Sequence, residues 1–405
     1  MMMLKKIFQK KVEGDIAPMQ QQVTKFLFWG VPILQRRTVL LGAVPINSDF
    51  SGGGGYITEI QSLQCRYSFL NIPFYCKTQT RIYQTLKQNP YALWVKPSLE
   101  NPDFCAICHN PQTYADLKNK FLALCAHLPL SDQKMLARQV CLTKHAYETQ
   151  NFYVLDLNPK EKEDLKRIYE EFLPNIFKIS DDCWFYEGYF LPKNGFEPSV
   201  FLYQHNLKKI FSPQTLNRIR QKDIIDAGGF LADSAIIFEK EFCDKTIYSF
   251  EPTQENFALM QQTLTLNHST RIVPIHKGLG EKTENKSIRF DGGGGSSFVF
   301  DHGNNEKESV EIISLDDFVL ENNLQIGFIK ADVEGFEQAL LKGAFHTICT
   351  QKPALLISLY HSEEDYFSIK PLIESWNLGY KMRIFKSTDL TLFHETALYC
   401  EVLDD

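Results

Sequence analysis

The sequence predicts an α/β protein: a largely parallel sheet with helices on both faces, preceded by a β-hairpin module and a helical segment. Three observations carry this. From about residue 180 onward short apolar runs alternate with helical stretches, the pattern of a sheet buried on both sides. Within that alternation the run DIIDAGGFLADS (223–234) takes a buried strand into a double-glycine turn and then a helix. Before residue 75, three apolar–Pro–apolar units recur between stretches of strand character.

The elements follow in chain order. WGVPI (29–33), GAVPI (42–46) and NIPF (71–74) each set a turn-forming residue before the proline unit, and Lys25–Phe28, Thr38–Leu41 and Arg66–Phe69 read as flanking strands. Proline belongs at edges and bulges, so residues 1–90 read as short hairpins with exposed edges, broken by the flexible SGGGG at 51–55. As a function this is a docking or carbohydrate-contacting module; the plainer reading is a β-rich appendage. Residues 91–179 are mainly helical. Tyr114, Leu117, Phe121, Leu124, Cys125 and Leu128 recur at helical spacing, and Ser131 caps a second helix through Cys141. A third starts at Asn158 as N-cap with Pro159 behind it; Leu165, Ile168, Tyr169, Phe172 and Leu173 form its stripe, and Pro174 follows its end. From 180 to 405 the expected strands are Asp223–Asp226, Thr246–Glu251, Ile272–Lys277, Ile326–Asp332, Ala354–Tyr360 and Leu398–Val402.

Composition narrows the function. The chain has 405 residues, 44% hydrophobic and 23% charged, which is ordinary globular usage and excludes a wholly disordered or collagen-like chain. Lysine and arginine number 43 against 49 acids, a net of -6, which argues against a dedicated nucleic-acid binder. Ten scattered cysteines read as reduced thiols in a cytosol. Lys5, Lys6, Lys10 and Lys11 lack the apolar stretch of a secretion signal behind them, and the longest apolar-looking run, Phe26 to Leu34, is 9 residues where a span needs ~20. The expected location is therefore cytoplasmic; the basic start leaves open a peripheral contact at the inner face of a membrane.

Glu251 ends the second strand, 25 positions after Asp226, close to the spacing at which an acid meets a ribose in dinucleotide folds. A nicotinamide enzyme would share that feature. Against it, DAGGFLAD lacks the spaced GxGxxG that admits a pyrophosphate, and an acidic strand end suits a cationic ligand better than a diphosphate.

DAGGFLADSA, YSFEPTQENF, FIKADVEGFEQALLKGA, LLISLYHSEEDYF and ETALYC, in this order over about residues 185–405, resemble the FkbM-type S-adenosylmethionine-dependent methyltransferases. The resemblance implies a Rossmann-like class I methyltransferase sheet with S-adenosylmethionine as cofactor. It places Asp226, Gly228 and Gly229 around the methionine part, Glu251 on the ribose, and Lys277, Gly278 and Leu279 beside the adenine. Ser234 would hydrogen-bond the cofactor or cap its helix. Ala232 stands where the family commonly has glycine.

The catalytic candidates are Asp332, Glu334 and His361. Asp332 and Glu334 are two apart at a strand end, so an extended chain presents both on one face of the crevice. The plainer reading has one capping the next helix, Phe336–Lys342. His361 follows the next strand, where a neutral imidazole could take a proton from a hydroxyl nucleophile. The three could instead hold a divalent ion, an alternative not favoured because no ligand spacing demands it. Cys105, Cys108 and His109 match the haem-attachment pattern but without an export signal, and Cys105, Cys108, Cys141 and His145 make a weak zinc candidate against plain structural thiols. The glycine run 292–295 reads as a flexible hairpin tip, since neither the P-loop lysine nor a helix follows it, and the resemblance implies that this tip covers the acceptor.

The expected activity is an O-methyltransferase acting on a sugar hydroxyl of a surface glycan or its precursor. The alternatives are a non-catalytic glycan-binding or assembly protein and a nicotinamide-dependent oxidoreductase.

Overall fold

The structure, a computed structural model, describes the backbone of residues 3–9, 21–28, 31–45, 57–69, 72–85, 93–94, 113–149, 153–154, 156–290, 296–297 and 307–403, and the side chains of 93, 116–146, 154, 156–286 and 309–403. The SGGGG break, the Cys105–His109 motif and the glycine run at 292–295 lie outside the described residues. Two compact units result: Met1–Phe50 with Gly54–Pro90, and Tyr91–Asp405 with Ser51–Gly53.

In the first unit five strands, Met3–Gln9, Gln21–Phe28, Val31–Pro45, Ile57–Phe69 and Ile72–Thr85, pair antiparallel in sequence order. Two of the proline units sit at register shifts: Leu27 pairs with Pro32 after the shift at Phe26/Leu27, and Ser68 with Pro73 after Tyr67/Ser68. Proline has no N–H to give the ladder, so the irregularities fall beside it.

The second unit is built on a seven-stranded sheet. Its strands are β1 (Asp223–Ala227), β2 (Ile247–Phe250), β3 (Ile272–Ile275), β4 (Ile326–Ala331), β5 (Ala354–Ser358), β6 (Lys381–Lys386) and β7 (Thr396–Glu401). Their order is β3-β2-β1-β4-β5-β7-β6, parallel except for β7, which runs against both neighbours. β1 and β4 are adjacent, so their carboxyl ends open the crevice where such sheets place ligands. β6 is the strand the sequence reading lacked: KMRIFK carries Lys and Arg at an edge, where charge guards against further pairing.

The described residues between 113 and 179 are not a body apart from the domain that follows. Leu124, Leu128 and Leu136 share one core with Ile225, Ile329 and Leu398, while Leu165, Ile168 and Phe172 share another with Phe238 and Tyr399. The apolar stripes read from sequence thus find their partners on the sheet's own layers, so the expected division at 180 separates nothing structurally. The capping box at Asn158 forms as its sequence requires: Asn158 Oδ1 accepts from Glu161 N at 2.9 Å, and Glu161 Oε2 from Asn158 N at 2.7 Å. The second helix, Leu130–Thr149, starts one residue before Ser131, whose hydroxyl donates to Asp132 instead of capping. Asp132 in turn takes Arg383 of β6 through two bonds of 2.7 and 2.9 Å. No helix among the described residues is long and apolar enough to cross a membrane.

Candidate active site

Next to last in β1 stands Asp226, fully buried, whose Oδ2 accepts from Ser249 Oγ of β2 at 2.6 Å. The turn beyond it folds back, and both Gly228 N and Gly229 N donate to Phe250 O. Gly228 has φ +76°, and a Cβ there would lie 1.7 Å from the Asp332 carbonyl oxygen. A Cβ on Gly229 would lie 2.2 Å from Ser249 Oγ. Both glycines are therefore dictated by the crowding of β1 against the ends of β4 and β2. Ala232, where glycine was expected, holds φ +62°, a conformation that costs an alanine about 1–2 kcal/mol. Its N–H donates to Gly229 O at 2.6 Å and its carbonyl accepts from Ile236 N at 3.0 Å, which fixes it there.

Glu251 closes the other side of this turn. Its Oε2 accepts from Phe230 N at 3.0 Å; its Oε1 accepts from Thr253 N at 3.0 Å and Thr253 Oγ1 at 2.7 Å. Burial raises its pKa and these bonds hold the rise in check. A carboxylate has about four acceptor positions, so one on Oε2 is left for a ligand hydroxyl. Ser234 does not cap its helix, which begins at Asp233; its Oγ meets His205 Nε2 at 3.0 Å. Asp233 is buried, and its pKa rises to about 6 mainly for that reason. Of the expected adenine neighbours, Lys277 pairs outward with Glu311 at 2.7 Å, while Gly278 and Leu279 are buried in a short strand.

The ends of β4 and β5 hold the charged centre. Lys330 on β4 is 5% exposed; it donates to Gly228 O at 2.8 Å and lies 3.4 Å from Asp226 Oδ1. Burial works against its charge, but Asp226, Asp332 and Asp233 outweigh it and raise the pKa. Asp332, beside the turn, has its carboxyl lowered: burial opposes this, and Lys330 and His361 overcome it. Tyr360 donates its hydroxyl to Asp332 Oδ1 at 3.0 Å, with Glu395 Oε1 3.2 Å away. Glu395 rises to about 7 through burial and the neighbouring Asp332 and Asp389.

His361 differs from the neutral base expected of it. Its Nδ1 bonds Glu337 Oε1 at 2.8 Å, and Nε2 lies 3.3 Å from Asp332 Oδ1 and 3.6 Å from Glu334 Oε2. Burial disfavours the charge, yet Glu337 and Glu334 first, then Asp332, lift the pKa well above 6.5. Held as an imidazolium, it has no lone pair to accept a proton. Glu334 does not share an extended face with Asp332: β4 stops at Ala331, Glu334 turns to φ +52° and Gly335 to +91°, and the carboxyl stays near the surface. Neither acid caps the next helix. Glu337, fully buried, performs that tie by accepting from Val333 N at 2.8 Å and Gly335 N at 3.1 Å. Asp332, Glu337 and His361 do bring ligand atoms within 4.8 Å of one another. Within this group Glu337 is committed to two amides and the imidazole, and Asp332 joins through the 3.3 Å ion pair with His361 Nε2.

A second wall comes from 197–206. Gln204, His205 and Asn206 hold φ of +49°, +51° and +54° in succession, strain of a kind that persists only when neighbours over-determine it. Tyr399 OH donates to His205 O at 2.8 Å, and Asn206 Nδ2 to Ser387 Oγ at 2.5 Å. Burial drives the His205 pKa down to about 3, so this ring is neutral. The cleft between the walls is lined by Ser199, His205, Lys330, Asp332, Ser358 and Glu395, among others.

Residues 223–382 match a family model described as the Methyltransferase FkbM domain. A relative, Methyltransferase 1 of Beauveria bassiana (strain ARSEF 2860), is 24% identical over 174 residues, covering 38% of this chain and 70% of its own. Among solved structures, Methyltransferase FkbM from Methylobacillus flagellatus KT is 18% identical and covers 66% of this chain and 70% of that one, with a TM-score of 0.36. A Streptococcus mutans structure in complex with SAH is 10% identical over 48% of this chain and 100% of that one, TM-score 0.29. The sheet order and the turn after β1 accord with that match, which is to a methyltransferase. More particularly, it is a match to the FkbM domain, confined to residues 223–382.

Proposed function

We propose that the domain transfers the methyl group of S-adenosylmethionine to a sugar hydroxyl. The carrying observation is Asp226 Oδ1, buried at the edge of the double-glycine turn with the Lys330 ammonium 3.4 Å away and no hydrogen bond of its own. Together with the spare acceptor on Glu251 it suits a ligand with a cationic end and a ribose. Asp226, Gly228 and Gly229 would surround the methionine part and Glu251 would hold the ribose, with Gly278 and Leu279 backing the adenine and Lys277 at its rim. S-adenosylmethionine, when bound, supplies a methyl group already activated by a positively charged sulfur.

What remains for the protein is alignment and removal of one proton. Glu395, poised near neutrality, is the group suited to accept that proton, directly or through the Tyr360 hydroxyl. Asp332 orients the acceptor, and His361 with Glu337 fixes the loop that carries Asp332. The serines and carboxylates lining the cleft favour a polyhydroxylated acceptor such as a glycan unit or its precursor; the same negative charge disfavours phosphate-rich nucleic acid. The scattered cysteines support a reducing, cytoplasmic setting. Incubation with methyl-labelled S-adenosylmethionine and a panel of methyl glycosides tests the reading. Label in a glycoside methyl ether supports it; label only in amines or carboxylates overturns the hydroxyl assignment.

A further inference from the structure

We propose that Lys193, in the segment before the family match, binds the carboxylate of the cofactor's methionine end. The inference rests on the site being one for S-adenosylmethionine. The stretch Pro192–Gly195 lies on the turn after β1: a Cβ on Gly195 would come 2.5 Å from Leu231 Cδ1. Lys193 Nζ stands 4.7 Å from the Phe230 ring centroid, a cation held over the turn by its aromatic face. Phe230 is the residue whose N–H is tied to Glu251, so the ammonium sits beside the groups assigned to the cofactor.

Charge accounting selects this lysine. A methionine end carries an ammonium and a carboxylate. Asp233, and Asp226 shared with Lys330, offer negative charge for the ammonium, but an anion needs a cation that is not already committed. Lys330 is committed, to Asp226 and to Gly228 O. Lys193 is half-buried and makes no ion pair with the described residues. Next to it, Asn194 Oδ1 is buried and accepts no hydrogen bond, a second polar atom of the same segment lacking a protein partner. Lys193 is thus a positioning residue that recognises the one group by which S-adenosylmethionine differs from its decarboxylated form.

Calorimetry with those two ligands tests it on the full chain. The wild type should prefer S-adenosylmethionine. Lys193→Gln should weaken it roughly five- to twenty-fold, in keeping with one partly exposed charge-assisted hydrogen bond, and leave decarboxylated S-adenosylmethionine within about two-fold. Lys193→Arg should restore the preference, and the preference should shrink at high salt. Equal weakening of both ligands, or unchanged affinity for both, overturns the assignment. If the wild type binds neither ligand, the cofactor reading itself falls and this inference falls with it.

Discussion

Lys330→Met is the most informative single perturbation of the charged centre. The lysine side chain is 6% exposed, and its ammonium lies 3.4 Å from the carboxylate of Asp226, whose side chain is 0% exposed. At an effective dielectric near 20 that separation corresponds to about 5 kcal/mol of gross attraction. Removing one partner of a buried pair typically costs ~3–5 kcal/mol, because the other charge is left without compensation. A further ~1 kcal/mol goes with the bond to Gly228 O. Domains have about 5–15 kcal/mol in all, so the variant should survive but unfold at much lower urea. Lys330→Met combined with Asp226→Asn removes both charges, and should recover at least ~1.5 kcal/mol relative to the sum of the single losses. Urea unfolding of the four proteins, followed by tryptophan fluorescence, gives the cycle. A loss below ~1 kcal/mol for Lys330→Met, or strict additivity in the double variant, would show that the pair does not hold the turn.

Other outcomes follow from the same geometry. Glu251→Ala should weaken S-adenosylmethionine by ~1.5–3 kcal/mol and also lower the ligand-free melting temperature, since Phe230 N and Thr253 lose their acceptor; an unchanged melting temperature refutes the structural half. Methyl transfer should rise with pH through about 7 as Glu395 ionises, and Glu395→Gln should lose that limb along with ~10²–10⁴-fold of rate; a limb that persists in the variant points to another base. His361 has a folded pKa above its unfolded 6.5, so the stability it contributes is complete below that pH and declines as pH rises towards the folded value. Wild type should therefore lose stability between pH 6 and pH 9 relative to His361→Gln, and a constant gap contradicts the imidazolium.

The sequence made the turn after β1, the Asp226–Glu251 spacing and the crevice at the strand ends legible, because each follows from local pattern plus the parallel order. Lys330 and Glu337 stood in the same motif, FIKADVEGFEQ, and passed unread. A lysine within a strand looks like a solvated face, and an acid opening a helix looks like a dipole partner. Only the adjacency of β1 and β4 buries the first beside Asp226, and only the left-handed Glu334–Gly335 turn brings Val333 N and Gly335 N onto the second. His361 was found by position, yet its protonation depends on three carboxylates, of which Glu337 lies 24 residues away in sequence. The 197–206 wall has no periodic pattern, and its left-handed triplet is set by contacts with Ser234, Ser387 and Tyr399.

Titration of the full chain with S-adenosylmethionine and, separately, with NAD addresses the central claim most directly. The account predicts saturable heat with S-adenosylmethionine, lost in Asp226→Ala, and none with NAD. Binding of NAD with no response to S-adenosylmethionine would contradict it and return the crevice to a nicotinamide enzyme.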